Sequence, residues 1–139
     1  MTTTTTTNKE EVFIQKEQDV VPLRNRVKDY AIKVGMSILN QTKVITATSE
    51  LVRNLLKYGG GGKVVIELVT NGRDNGVRVS FIDKGPGIPD ISLAMKDGYS
   101  TGKSLGLGLP GTKRLVNEFE IHSEPGNGTT VTITKWKNG

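Results

Sequence analysis

A run of four glycines, Gly59 to Gly62, stands between a long helical pattern and two strand patterns and constrains this chain more than any other feature. Upstream, Val44, Ala47, Leu51 and Leu55 recur on one helical face and predict a helix over residues 40–58. Glycines have poor helix propensity and unrestricted backbone, so four in succession stop that helix abruptly. Downstream, residues 63–70 and 77–83 carry strand patterns, and residues 71–76 between them read as a hairpin connection.

The flanking segments complete the outline. Residues 11–16 alternate Val12 and Ile14 with polar neighbours, a strand pattern. Asp19 is placed to cap a helix carrying Val20, Leu23, Val27, Ala31 and Val34, and Gly35 ends it. A short helix is predicted at residues 90–96, a glycine-rich, weakly patterned and mobile loop at 97–108, and an amphipathic helix at 109–119 with Leu115, Val116 and Phe119 inward. Strands at 120–123 and 129–136 follow, joined by a turn. Helices mixed with strands in this order predict an α+β fold, a two-layer sandwich with helices on one face of a mixed, mostly antiparallel sheet. Residues 1–9, rich in threonine, are expected to be a disordered tail, and residues 10–139 one domain.

Composition removes several function classes. There is no cysteine, which excludes disulfides, thiolate metal sites and cysteine nucleophiles. The single histidine, His122, excludes a multi-histidine metal site and reads as a strand residue. No apolar run approaches the roughly 20 residues that span a bilayer, and the N-terminus lacks a signal-peptide pattern, so a cytoplasmic protein is expected. The net charge of +5 is spread among scattered basic residues with only 5% aromatics. That pattern suits a nucleotide or an acidic protein partner better than a nucleic acid.

Four strings carry possible chemistry. On the second helix, Glu50 and Asn54 are four residues apart and share a face. An asparagine carbonyl is a hard oxygen ligand suited to Mg²⁺, and a carboxylate one turn away can accept a proton. The same residues also fit a solvated face with Glu50 paired to Arg53. Asp83-Lys-Gly-Pro-Gly87 follows a strand, so the carboxylate can enter a pocket and accept from an exocyclic amine such as that of adenine. It is also ordinary turn chemistry. Thr101-Gly-Lys-Ser-Leu-Gly-Leu-Gly-Leu109 precedes a helix, leaving backbone N–H groups and a positive helix end for phosphates, with Lys103 as a further charge. It has neither Walker spacing nor a Rossmann setting. Thr129, after Gly126-Asn-Gly, either bonds a base or opens a strand.

In this order, and over nearly the whole chain, the strings resemble the ATPase superfamily of gyrase, histidine kinases and MutL, with its Bergerat-type fold. Ser49-Glu-Leu-Val-Arg-Asn54, residues 83–90, Gly98-Tyr-Ser-Thr101, residues 106–111 and Lys113-Arg-Leu-Val-Asn-Glu-Phe119 are similar to the small anti-sigma-factor-type serine/threonine kinases, and Arg53 looks like the stress-response switch-kinase subgroup. The resemblance implies ATP and Mg²⁺ as cofactors. It implies Asn54 as the metal ligand, Glu50 as the group that orients or deprotonates the attacking hydroxyl, and Asp83 as the reader of adenine beside Gly85 and Gly87. Thr101, Lys103, Gly106, Leu107 and Gly108 would face the phosphates, and Thr129 would support the base. The lid departs from the pattern at Lys103, where a small residue is expected.

The implied activity is phosphorylation of a serine or threonine on a STAS-domain antagonist, after which the released kinase activates a phosphatase. No nucleic-acid or membrane partner is implied. The rival is a module that sequesters a sigma factor or regulator with ATP as a structural ligand. A histidine-kinase fragment would need a helical dimerisation segment bearing a phosphoacceptor histidine, and a gyrase-type ATPase would need a transducer domain for which there is no length.

Overall fold

A computed structural model describes residues 3–83, 108–124 and 128–139. The chain begins with β1 (Thr5–Ile14), a short 3-10 turn (Glu17–Asp19) and helix α1 (Val20–Lys33). Helix α2 (Ile38–Gly59), strands β2 (Gly62–Thr70) and β3 (Asn75–Asp83), helix α3 (Gly108–Leu115), β4 (Glu118–Glu124) and β5 (Gly128–Trp136) follow. The strands form one sheet in the order β1-β2-β3-β5-β4. Every pairing among the described residues is antiparallel, so the expected admixture of other pairing is absent there.

Local chemistry explains where the helices start and stop. The Asp19 carboxylate accepts from the backbone N–H groups of Gln15 (2.9 Å) and Lys16 (3.1 Å), holding the entry to α1. Gly35, at φ 86°, lets the chain leave α1 and enter α2. Ser37 caps α2, its hydroxyl accepting from Asn40 N–H at 3.1 Å, an interaction worth about 1 kcal/mol. At the far end Gly60 sits in the left-handed region, and Leu55 O accepts from the N–H groups of both Gly60 and Gly61. Gly60 therefore ends the helix, while Gly59 belongs to its last turn.

Period-two alternation in the strands decides which face the helices cover. Val64, Ile66 and Leu68 of β2, Val77, Val79 and Phe81 of β3, and Val131 and Ile133 of β5 join Leu23, Val27, Val44, Ala47, Leu51 and Leu55 in one buried core. The opposite face carries polar residues such as Glu67, Arg78 and Thr132, and Arg78 donates to Thr134 Oγ1 there at 3.1 Å. This is the two-layer α+β sandwich expected from the sequence.

Several boundaries shift by a residue or two from the sequence reading, and two differ more. The strand β1 begins at Thr5, inside the threonine run read as a disordered tail. β2 supplies a partner strand along its whole length, with Thr5 opposite Thr70, and Thr6 Oγ1 donates to Glu67 at 2.6 Å. Helix α3 stops at Leu115 rather than 119. Asn117 N–H donates to Thr134 O (3.0 Å) and its side-chain carbonyl accepts from Trp136 N–H (2.8 Å). These bonds to β5 pull the chain into β4, and Phe119 reaches the core from a strand, opposite Ile133. The short helix expected at 90–96 lies outside the described residues, as does the loop at 97–107.

Candidate functional site

The C-terminal half of α2, the end of β3 and the start of β5 meet at one end of the sandwich, away from the β2–β3 hairpin. Their polar side chains are the ones singled out in the sequence. Glu50 and Asn54 lie one turn apart on α2, both at the edge of the buried stripe rather than on the solvent face. The Glu50 side chain is only 14% exposed, while its neighbour Arg53 is 61% exposed, with Nη1 3.6 Å from Glu50 Oε1. The ion pair of the plainer sequence reading therefore exists, but Glu50 is sheltered. The Asn54 amide oxygen is a hard donor of the kind that suits Mg²⁺ completed by phosphate oxygens, and the Glu50 carboxylate sits one turn away on the same helix. Among the described residues no group of three or more His, Cys, Asp or Glu gathers as a metal cage.

Asp83 is the last residue of β3 and lies opposite Gly62 of β2. Its Oδ1 accepts the backbone N–H of Thr129 at 3.2 Å, which ties the ends of β3 and β5 together. Behind the carboxylate stands Gly59, in the last turn of α2. A Cβ built there would lie 2.6 Å from both Cβ and Cγ of Asp83 and 2.8 Å from Oδ2. Gly59 is five residues beyond Asn54, about 7.5 Å along the helix axis, so Asp83 and the Glu50–Asn54 pair border one end of the fold.

Thr129 is buried at 9% exposure, and its hydroxyl lies 2.8 Å from that of Ser123 on β4. Ser123 Oγ also donates to Gly128 O at 3.3 Å. Ser123 was missed in the sequence because a lone serine in a strand has no pattern; it is found only by its register opposite Thr129. Gly59 was read merely as part of a helix stop. His122 is a strand residue of β4, as expected, opposite Thr130.

Gly108 opens α3, so the first turn of that helix immediately follows the glycine-rich string. Gly85, Gly87, Thr101, Lys103, Gly106 and Leu107 lie outside the described residues. The structure thus joins Asp83 to Thr129 and packs Asp83 against Gly59, with Asn54 and Glu50 about 7.5 and 13.5 Å back along the same helix.

A concavity of about 390 Å³ on the β1–α1 side is lined by residues that include Lys9, Glu10, Arg26, Asp29, Tyr30 and Lys33. There Arg26 makes a two-pronged contact to Glu10, Nε–Oε2 2.9 Å and Nη2–Oε1 2.6 Å, and Tyr30 donates to Glu10 at 3.2 Å. The Arg26 hydrogen bond holds the Glu10 carboxyl below the usual carboxylate range, and burial pushes the Tyr30 hydroxyl up. These charges satisfy one another, and none belongs to the strings singled out in the sequence.

Known proteins share this chain's sequence pattern and fold. Residues 39–138 match the family described as "Histidine kinase-, DNA gyrase B-, and HSP90-like ATPase". The chain is 42% identical over 125 residues to the serine/threonine-protein kinase RsbT of Bacillus subtilis, covering 90% of this chain and 94% of that one. It is 31% identical over 128 residues to an anti-sigma F factor of Thermoanaerobacter, covering 89% and 90%. The solved structure of the RsbU and RsbW domains of Rv1364c from Mycobacterium tuberculosis superposes with a TM-score of 0.65 at 23% identity. That match covers 93% of this chain and 32% of the larger one, a likeness of fold. With the family match spanning both α2 and β5, the chain belongs to the histidine kinase-, DNA gyrase B- and HSP90-like ATPase family.

Proposed function

We propose that this chain is a Mg²⁺- and ATP-dependent protein serine/threonine kinase acting in a partner-switching system. Its substrate is a STAS-domain antagonist, and its second role, once released, is to activate a phosphatase. The observation that supports the reading is Asp83, pinned by Thr129 and packed against the last turn of the helix that also carries Asn54 and the sheltered Glu50. The 42% identity with a protein named a serine/threonine kinase, over nearly the full length of both, supports the reaction class.

Each residue has a distinct task. Asp83 accepts from the exocyclic amine of adenine and so selects ATP over GTP, whose keto group offers no donor. The Asn54 amide oxygen, with phosphate oxygens, holds Mg²⁺, which when bound neutralises charge developing on the phosphates. Glu50 accepts the proton as the substrate hydroxyl attacks the γ-phosphorus and ADP departs. Gly85 and Gly87 shape the base wall, Thr129 supports the base, and Thr101, Lys103, Gly106, Leu107 and Gly108 close on the phosphates. No helix among the described residues is long and apolar enough to cross a membrane, and a cytoplasmic setting fits a partner of this kind.

The test is transfer of labelled γ-phosphate to a STAS protein from the same genome, comparing wild type with Asn54→Ala. Label on the partner that disappears in the variant is the expected result; equal labelling by both would remove Asn54 from the metal site. The anti-sigma F factor relatives favour one alternative, a module that sequesters its partner with little turnover. In that case the partner would be bound and never labelled.

A further inference from the structure

Gly59 presents a puzzle that its own helix cannot solve. It lies within α2, and its φ is not positive; Gly60, at φ 72°, is the residue that needs glycine to end the helix. Alanine is the better helix former, so local structure favours a side chain at position 59. The tertiary contact is what forbids it. A Cβ there would meet Cβ and Cγ of Asp83 at 2.6 Å and Oδ2 at 2.8 Å, all closer than real Cβ contacts come. Two of these atoms lie at the root of a short side chain, so rotating the carboxylate alone does not relieve the overlap. On its other side the same carboxylate is fixed by Thr129 N–H on Oδ1.

We infer that Gly59 is a specificity-positioning residue: its missing side chain lets α2 press against Asp83 and hold the carboxylate in the orientation that reads the base. The inference rests on the reading of Asp83 as the adenine acceptor. It adds that the base wall is shaped from behind by the last turn of the helix that also carries Asn54 and Glu50. Any side chain at 59 moves Asp83 first, so the cost falls on base selection before it falls on the metal.

The experiment measures equilibrium binding of ATP and of GTP, with Mg²⁺, by the full chain and by Gly59→Ala, Asp83→Ala, Asp83→Gly and the double variant Gly59→Ala/Asp83→Gly. Gly59→Ala is expected to weaken ATP at least tenfold and GTP by less than threefold, lowering the ATP/GTP preference. Because both act through one carboxylate, the double variant Gly59→Ala/Asp83→Gly, which keeps no Asp83 side-chain atom for the new methyl to meet, should be no weaker for ATP than Asp83→Gly alone. Where Gly59→Ala fails to fold, Gly59→Ala/Asp83→Gly, which removes every Asp83 side-chain atom the new methyl would meet, should restore a cooperative thermal transition. ATP binding within twofold of wild type in a folded Gly59→Ala protein would overturn the inference, as would additive losses in the double variant or failure of the Asp83→Gly rescue. If Asp83→Ala itself leaves ATP binding unchanged, it is the adenine reading that has failed, and the inference falls with it.

Discussion

The two ends of helix α2 are built on opposite principles. At its N-terminal end, next to the β2–β3 hairpin, polar groups close on one another. Ser37 caps the helix, and Asn40 donates to Lys137 O (3.2 Å) and Gly139 O (3.4 Å). Asn138 bonds both oxygens of Asp74, and Lys135, 3% exposed, donates to Gly139 O at 3.1 Å. Burial, with Lys43 nearby, pushes the Lys135 ammonium below its ordinary value. Towards the C-terminal end Glu50 and Asn54 lie at the edge of the buried stripe, Glu50 sheltered, and Asp83 packs against Gly59 and accepts from Thr129. The first end uses polar residues to fasten the chain; on the reading proposed above, the second presents them to a nucleotide.

Substitutions at the two ends should therefore fail differently. The largest effect is expected from Glu50→Ala, which should cut phosphotransfer roughly 10²–10⁴-fold with nucleotide affinity nearly unchanged. A single-turnover assay beside a binding isotherm separates the two. Asp83→Asn should weaken ATP about tenfold to a hundredfold, the scale of one charge-assisted hydrogen bond, and weaken GTP far less. Equal losses for both nucleotides would make Asp83 structural.

At the fastening end the loss should appear in stability alone. Ser37→Ala is expected to cost about 1 kcal/mol, a drop of a few degrees in Tm, with ATP affinity unchanged. A fall in affinity as large as the fall in stability would erase the distinction between the ends. Smallest is the Glu10–Arg26 pair on the β1–α1 side, too exposed for its charges to contribute much. Because the folded-state pKa of Glu10 is lowered from 4.5, its contribution is present above that value and fades as pH falls through the lower folded one. Glu10→Gln should thus be slightly less stable at neutral pH and lose less on acidification, read from denaturation midpoints across pH.

The sequence conveyed the architecture wherever periodicity was long or a breaker residue stood alone. The stripe Val44, Ala47, Leu51 and Leu55 is buried as expected, and Gly35 ends α1's exit turn at positive φ. It failed where tertiary pairing overrode a local signal. The β-branched threonine run has strand propensity but no apolar alternation to mark a buried face, so it reads as a tail; backbone pairing to β2 makes it a strand. Phe119 continues an apolar helical spacing, yet Asn117's bonds to β5 turn it into β4. In the site, Glu50, Asn54 and Asp83 were visible because their spacing and neighbours form motifs. Ser123 and Gly59 were not, since what matters about them is a partner 6 and 24 residues away across the fold. For Gly59 the four-glycine run concealed two jobs behind one pattern.

Backbone amide chemical shifts of the whole chain, recorded with and without Mg²⁺-ATP, test the central contrast most directly. Large changes are predicted at Asn54, Gly59, Asp83 and Thr129, with Ser37, Asn40, Asp74 and Asn138 almost unmoved. Changes centred on the hairpin end, or none at the C-terminal end of α2 under saturating nucleotide, would contradict the account.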